Sequence, residues 1–224
     1  MPSIANVAAQ NLQRLISDGS YPAGSMLPSQ RDLADRLGIS RTSLREAISM
    51  LEALGLVRSH AGKGVYVTAG QGREAGDMPA SSASMRPESI FQFRFVIEPA
   101  AASLVAADIS LDLAPLQEIQ HSLENALHAM DLVMAADWDM EFHRRIARLS
   151  GNEAFVSVLH QMESQVAYSL QLPFANPQSI WETADEHLAV IHAIASHEPA
   201  AAKQAMQTHL LRAAARVGIR FYQP

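Results

Sequence analysis

Residues 27 to 67, "LPSQRDLADRLGISRTSLREAISMLEALGLVRSHAGKGVYV", constrain this chain more than any other stretch. Ser29 reads as a helix N-cap with Asp32 as its capping-box acid, Leu33 and Leu37 form a buried pair one turn apart, and Gly38 is a stop. Ser40 then caps a further helix in which Leu44, Ile48 and Leu51 point inward while Arg41 and Arg45 share the opposite side. Two helices joined by so tight a glycine turn make a helix-turn-helix. "LVRSH" and "VYVT" flank "AGKG", which predicts two short strands around a glycine-rich turn. A first helix is expected over residues 4 to 18, buried through Val7, Leu12 and Ile16 and ended by "GSYPAG". Helix, helix, helix, hairpin is a winged helix-turn-helix, assigned to residues 1–68.

Residues 69–87, rich in Gly, Ala, Ser and Pro without a period, read as a linker. Residues 88–224 show helical periodicity, with breaks near Ile109, Met130, Gly151, "LPFANPQ" and "SHEP". They predict an antiparallel bundle of about six helices. The fold class expected is therefore mainly α, a winged helix-turn-helix followed by an all-α bundle. Pro99 should kink or divide the first bundle helix.

Charge is distributed unevenly along the chain. The net charge is −6, yet residues 1 to 70 carry seven Lys/Arg and five acids, so the excess acid lies in the bundle. Only the front should meet a polyanion. A helix fits the major groove of B-DNA, and the first turns of this one offer Arg41 and Arg45 for guanine edges with Thr42 and Ser43 as hydroxyls. Arg31 is placed to reach the backbone or the groove edge. At the hairpin tip, Gly62 and Lys63 suit an approach to the minor groove or its phosphates. One helix pair reads one half-site, so a homodimer on an inverted-repeat operator is expected.

The stretch from Tyr21 to Thr68 resembles the DNA-binding domain of the GntR family of bacterial transcription regulators at nearly every fixed position of its pattern. Ala23-Gly24 departs from the common Pro-Gly and alters a turn, not a contact. The resemblance implies that Arg31, Arg41 and Arg45 contact DNA and that Gly62 enters the minor groove. The helical remainder resembles the family's FadR branch, whose ligand domain, the FCD type, is an all-helical bundle.

Within the bundle, His121 and His128 lie on a polar face and His197 in a turn, whereas three other histidines sit on inward stripes. His143 continues the stripe of Leu132, Asp139 and Ile146, His187 joins Ile191 and Ile194, and His209 joins Met206 and Ala213. Asp139 and His143, four apart, point the same way. If the last two helices turn near His197, His187 and His209 stand at similar height. A bundle that brings these faces together builds an Asp/His/His/His site for a divalent metal, zinc first, with nickel, manganese and iron also suited. The chain has no cysteine, so any metal must use histidine and carboxylate. The four residues resemble the ligands of the FadR branch's metal-binding group. Arg94 lies one turn from Glu98, where it either forms an internal ion pair or grips a carboxylate effector. The resemblance favours the effector role, since the spacing matches an effector-binding arginine in members that recognise organic acids.

Neither a signal segment nor an apolar run long enough to span a bilayer is read, so a cytoplasmic protein without a membrane partner is expected. The function expected is a ligand-responsive transcription regulator with DNA, a small organic acid and a second copy of itself as partners. One alternative makes the metal structural or itself the signal. Another, a metal-dependent hydrolase, lacks a further inward carboxylate to act as general base, Glu98 apart.

Overall fold

A computed structural model describes residues 3–68, 85–176 and 178–222. Most of the segment read as a linker, residues 69–84, lies outside the described residues. The front of the chain folds as α1 (Ile4–Ser17), α2 (Gln30–Leu37), α3 (Arg41–Ala53), β1 (Val57–His60) and β2 (Gly64–Val67). Ser3, Ser29 and Ser40 cap the three helices by accepting the backbone N–H of Asn6, Asp32 and Ser43. Gly38 ends α2 at φ 64°, a left-handed conformation that a side chain rarely adopts, so the turn into α3 needs this glycine. β1 and β2 pair antiparallel with Val57 opposite Val67. The incoming segment adds to this ribbon, with Leu27 N donating to Val65 O and Val67 N to Ser25 O. The winged helix-turn-helix is formed as read.

One detail of α1 differs. Its buried face is Ala5, Ala8, Ala9, Leu12 and Gln13, while Val7 is 44% exposed and Ile16 half-buried. α1 is sandwiched between α3 and α6, and alanines allow the close approach that valine would obstruct.

The bundle comprises α4 (Pro87–Ala107), α5 (Ala114–His128), α6 (Leu132–Leu149), α7 (Glu153–Gln161), α8 (Glu163–Gln171), a 3-10 turn (Leu172–Ala175), α9 (Ile180–Ala195) and α10 (Pro199–Arg216). An additional break at Met162 separates α7 from α8. α4 runs undivided through Pro99 and packs against α6, α8, α9 and α10, so it is the central helix. Among the described residues, α4 is also the one helix long and apolar enough to cross a membrane by length and composition. It buries Arg94 and Glu98 against the other bundle helices instead. The bundle core is built from Phe95, Val105, Leu116, Phe142, Ile146, Val190, Met206 and Leu210.

A continuous apolar cluster joins the front to the bundle, running from Leu12 and Leu44 to Leu123, Val133 and Phe174. Hydrogen bonds fix the same seam. The buried Gln13 side chain donates to Met130 O at 3.0 Å and accepts from Val133 N at 3.1 Å, satisfying backbone groups at the start of α6. Gln10 donates to Asp131, the N-cap of α6, and Asn6 donates to Asp137, whose carboxyl is pushed up by burial.

Candidate metal centre

α6 places Asp139 and His143 one turn apart, α9 supplies His187 and α10 supplies His209. All four are buried, and one ligand atom from each lies within 4.8 Å of the others. The expected juxtaposition is present: the ring centroids of His187 and His209 are 4.8 Å apart, and those of His143 and His209 5.2 Å. His187 stacks on Phe142 at 3.7 Å with planes 8° apart, which fixes its ring plane.

The hydrogen-bonding pattern sets the direction of each ring. Glu186 Oε2 lies 2.9 Å from His209 Nδ1, and a carboxylate only accepts, so the proton sits on Nδ1 and Nε2 keeps its lone pair. On the other side, Arg94 Nη2, which can only donate, is 3.1 Å from His143 Nε2. The neutral His143 ring therefore carries its proton on Nδ1, 2.7 Å from Glu98 Oε2. The two Nε2 atoms then face each other at 3.3 Å as acceptors. Asp139 Oδ1 lies 3.1 Å from His187 Nε2 and 3.4 Å from His143 Nε2 without hydrogen-bond alignment to either. Neither ring nitrogen of His187 has a hydrogen-bond partner. Buried lone pairs and a carboxylate oxygen converging in this way repel one another unless they share a cation. The nitrogen and oxygen donor set fits a divalent metal of the zinc type.

Electrostatics agree with that fit at Asp139, His187 and His209. Burial opposes ionisation of Asp139, but the adjoining His143 and His187 imidazoles overcome it and hold the carboxylate well below its usual range. Burial likewise opposes Glu98, which Arg94 and His143 bring down to about 2. Burial lowers His187, and burial together with the neighbouring imidazoles lowers His209 further, favouring neutral rings that can ligate. His143 is raised, because Glu98 and Asp139 outweigh burial and Arg94.

Arg94 is fully buried. Its Nε donates to Glu98 Oε1 at 2.7 Å and its Nη1 to Ser169 Oγ at 3.1 Å, so the internal ion pair exists and sits directly against His143. Three further residues belong to this centre and were not singled out from sequence: Glu186, Arg216 and Ser169. For Glu186 a signal was present, since Thr183, Glu186, His187 and Val190 follow a buried helical stripe.

At the other end of the molecule, Arg41, Thr42 and Arg45 are exposed on the outer side of α3, opposite buried Leu44 and Ile48. Ser43 is half-buried and tied to Ser40. Arg31, with 75% of its side chain exposed, stands near the start of α2. Gly62, at φ 70°, and Lys63 form the exposed wing turn. A groove between that turn and the start of α2 is lined by Ser29, Gln30, His60, Gly62 and Lys63.

A winged helix-turn-helix with an outward basic helix, joined to an all-helical bundle, defines a DNA-binding transcription regulator carrying a ligand domain. Comparison with known proteins bears this out. Residues 4–67 match the bacterial regulatory proteins, gntR family, and residues 89–212 match the FCD domain. The chain belongs to the GntR family and carries an FCD domain. It is 30% identical to the Exu regulon transcriptional regulator of Escherichia coli K12 over 212 residues, covering 90% of this chain and 80% of that protein. It is 28% identical to the Uxu operon transcriptional regulator of the same organism, covering 89% and 80%. A GntR transcriptional regulator from Rhodococcus sp. RHA1 shares the fold at 22% identity and a TM-score of 0.55, with 96% and 98% of the two chains covered. The family and these relatives are transcription regulators, not enzymes.

Proposed function

We propose that this protein is a ligand-responsive regulator that binds an inverted-repeat operator as a homodimer in the bacterial cytoplasm. Residues 1–68 form its DNA-binding unit, and residues 88–224 its effector-binding and dimerisation unit. α3 enters the major groove, where Arg41, Thr42, Ser43 and Arg45 meet bases and phosphates; Arg31 contacts the backbone and the Gly62–Lys63 turn reaches the minor groove. Asp139, His143, His187 and His209 hold a divalent metal, zinc first. A bound metal would supply a Lewis-acidic contact for an oxygen of the effector. Arg94 would bind the carboxylate of the same small organic acid by a charge-assisted hydrogen bond. The observation that carries this reading is the buried convergence of four ligand atoms beside a buried arginine.

A second reading, in which the metal is structural or is itself the signal, has one observation in its favour. Arg94 is already tied to Glu98, Ser169 and His143, so an effector carboxylate has to compete with Glu98 for a two-pronged grip on it. Calorimetry of zinc-loaded and chelator-treated protein with a panel of hydroxy and keto acids separates the two. Acid binding that requires zinc and is lost in Arg94→Ala supports the effector reading. Zinc binding with no response to any acid, in binding or in operator affinity, supports the structural one.

A further inference from the structure

His209 differs from the other candidate ligands in what stands behind it. Its Nδ1 meets Glu186, and Glu186 is gripped by both terminal nitrogens of Arg216, Nη1 to Oε1 at 2.8 Å and Nη2 to Oε2 at 3.1 Å. Arg216 is fixed in turn by Thr183 Oγ1 and Glu182 Oε2, each at 3.2 Å. Glu186 is only 6% exposed, and the Arg216 side chain is equally secluded. Packing alone does not call for this pair, since apolar side chains would fill the α9–α10 contact without the cost of desolvating two charges. What the pair adds is direction, because a paired carboxylate at Nδ1 fixes both the tautomer and the plane of an imidazole.

We infer that Glu186 is a positioning residue for the metal centre, holding His209 with Nε2 aimed at the shared point, and that Arg216 holds Glu186 for that task. The inference rests on the reading of Asp139, His143, His187 and His209 as metal ligands. Glu98 Oε2 also lies 2.7 Å from His143 Nδ1, but without hydrogen-bond alignment, and its arginine touches His143 Nε2, on the face that would meet the metal. Arg216 reaches His209 through Glu186 and is the remote partner. Glu186 also neighbours His187 in sequence, so one turn of α9 supplies a ligand and the support for another on α10.

The test is zinc affinity of the full chain, by competition with a chromophoric chelator, together with the absorption spectrum of the cobalt-loaded protein. Glu186→Gln should weaken zinc binding by about 10–100-fold, the range typical of outer-shell partners, and should alter the cobalt spectrum at saturation. Arg216→Met should shift both in the same direction by less, and Arg216→Lys should recover part of the loss. Wild-type zinc affinity in Glu186→Gln overturns the inference while leaving the metal reading intact. A weakened affinity with an unchanged cobalt spectrum and a matching drop in the melting temperature of chelator-treated protein also overturns it, because the role is then structural. Should Glu186→Gln fail to fold, Arg216→Lys decides: unchanged affinity and spectrum overturn the inference. Wild-type protein that binds neither zinc nor cobalt rejects the metal reading itself, and the inference with it.

Discussion

The two ends of this molecule handle charge in opposite ways. On α3 the basic side chains project outward from a helix whose other face is Leu44, Ala47, Ile48 and Leu51, so their partner is outside the protein. In the bundle, Arg94, Glu98, Asp139, Glu186 and three histidines are all but removed from solvent and crowd against one another. A function carried on an exposed face is separable from folding. One carried by a buried polar cluster is not, because each member is part of the core it perturbs.

Removing metal is the harshest trial of that contrast. Chelation should lower the melting temperature, since a metal bound from three helices stabilises the state that binds it. Acid should act in the same direction. His187 and His209 titrate below the ordinary 6.5 when folded, so their contribution is complete above that pH and is lost as pH falls and the unfolded chain takes up protons first. His143, raised, contributes most below 6.5 and loses that contribution as pH rises through its folded value, but metal ligation requires its neutral form too. Melting curves from pH 8 to 5, with elemental analysis at each step, should show metal content and stability falling together; a metal-loaded protein still stable and still loaded at pH 5 would break the comparison.

Arg94→Ala comes next. It leaves Glu98 buried without its guanidinium, at about 3–5 kcal/mol. Urea unfolding should register that loss while zinc is retained and carboxylate affinity disappears. A variant as stable as wild type would show that the cluster tolerates an unpaired charge.

The outward helix should behave differently. Arg41→Ala and Arg45→Ala should each forfeit roughly 1–3 kcal/mol of specific operator binding, with unfolding and metal content as in wild type. Unchanged discrimination between operator and random DNA in both variants would remove α3 from the reading head. The smallest effect is expected at the wing, where Lys63→Ala should weaken binding evenly across sequences and reduce the salt-dependence slope by about 1. A loss confined to one base position would reassign Lys63 to base readout.

The front region was legible because its determinants are local. Caps at Ser29 and Ser40, the left-handed Gly38 and a four-residue leucine spacing all act within one or two turns. Val7 misled because the face that α1 buries is chosen by close packing against α3 and α6, which favours alanine over the more hydrophobic residue. The break at Met162 carries no glycine or proline, and the apolar stripe continues across it. In the bundle, Asp139 and His143 are visible at four-residue spacing, and the hairpin length brings His187 level with His209. Glu186 and Arg216 are 30 residues apart, and nothing local links them; only the packing of α9 on α10 does. Arg94 with Glu98 was readable as a pair, but not that the pair also contacts His143, 49 residues away for Arg94.

Gln13 has a consequence for anyone who would take the protein apart. Its amide completes the backbone hydrogen bonding at the start of α6, a helix it does not belong to, and α6 also carries Asp139 and His143. The two halves recombine freely as sequence modules only if a graft brings its own glutamine, or an equivalent, to the same height. A chimera that joined a foreign reading head to this bundle would inherit a frayed first turn two turns from Asp139, and with it a loosened wall of the buried cluster before anything was bound there.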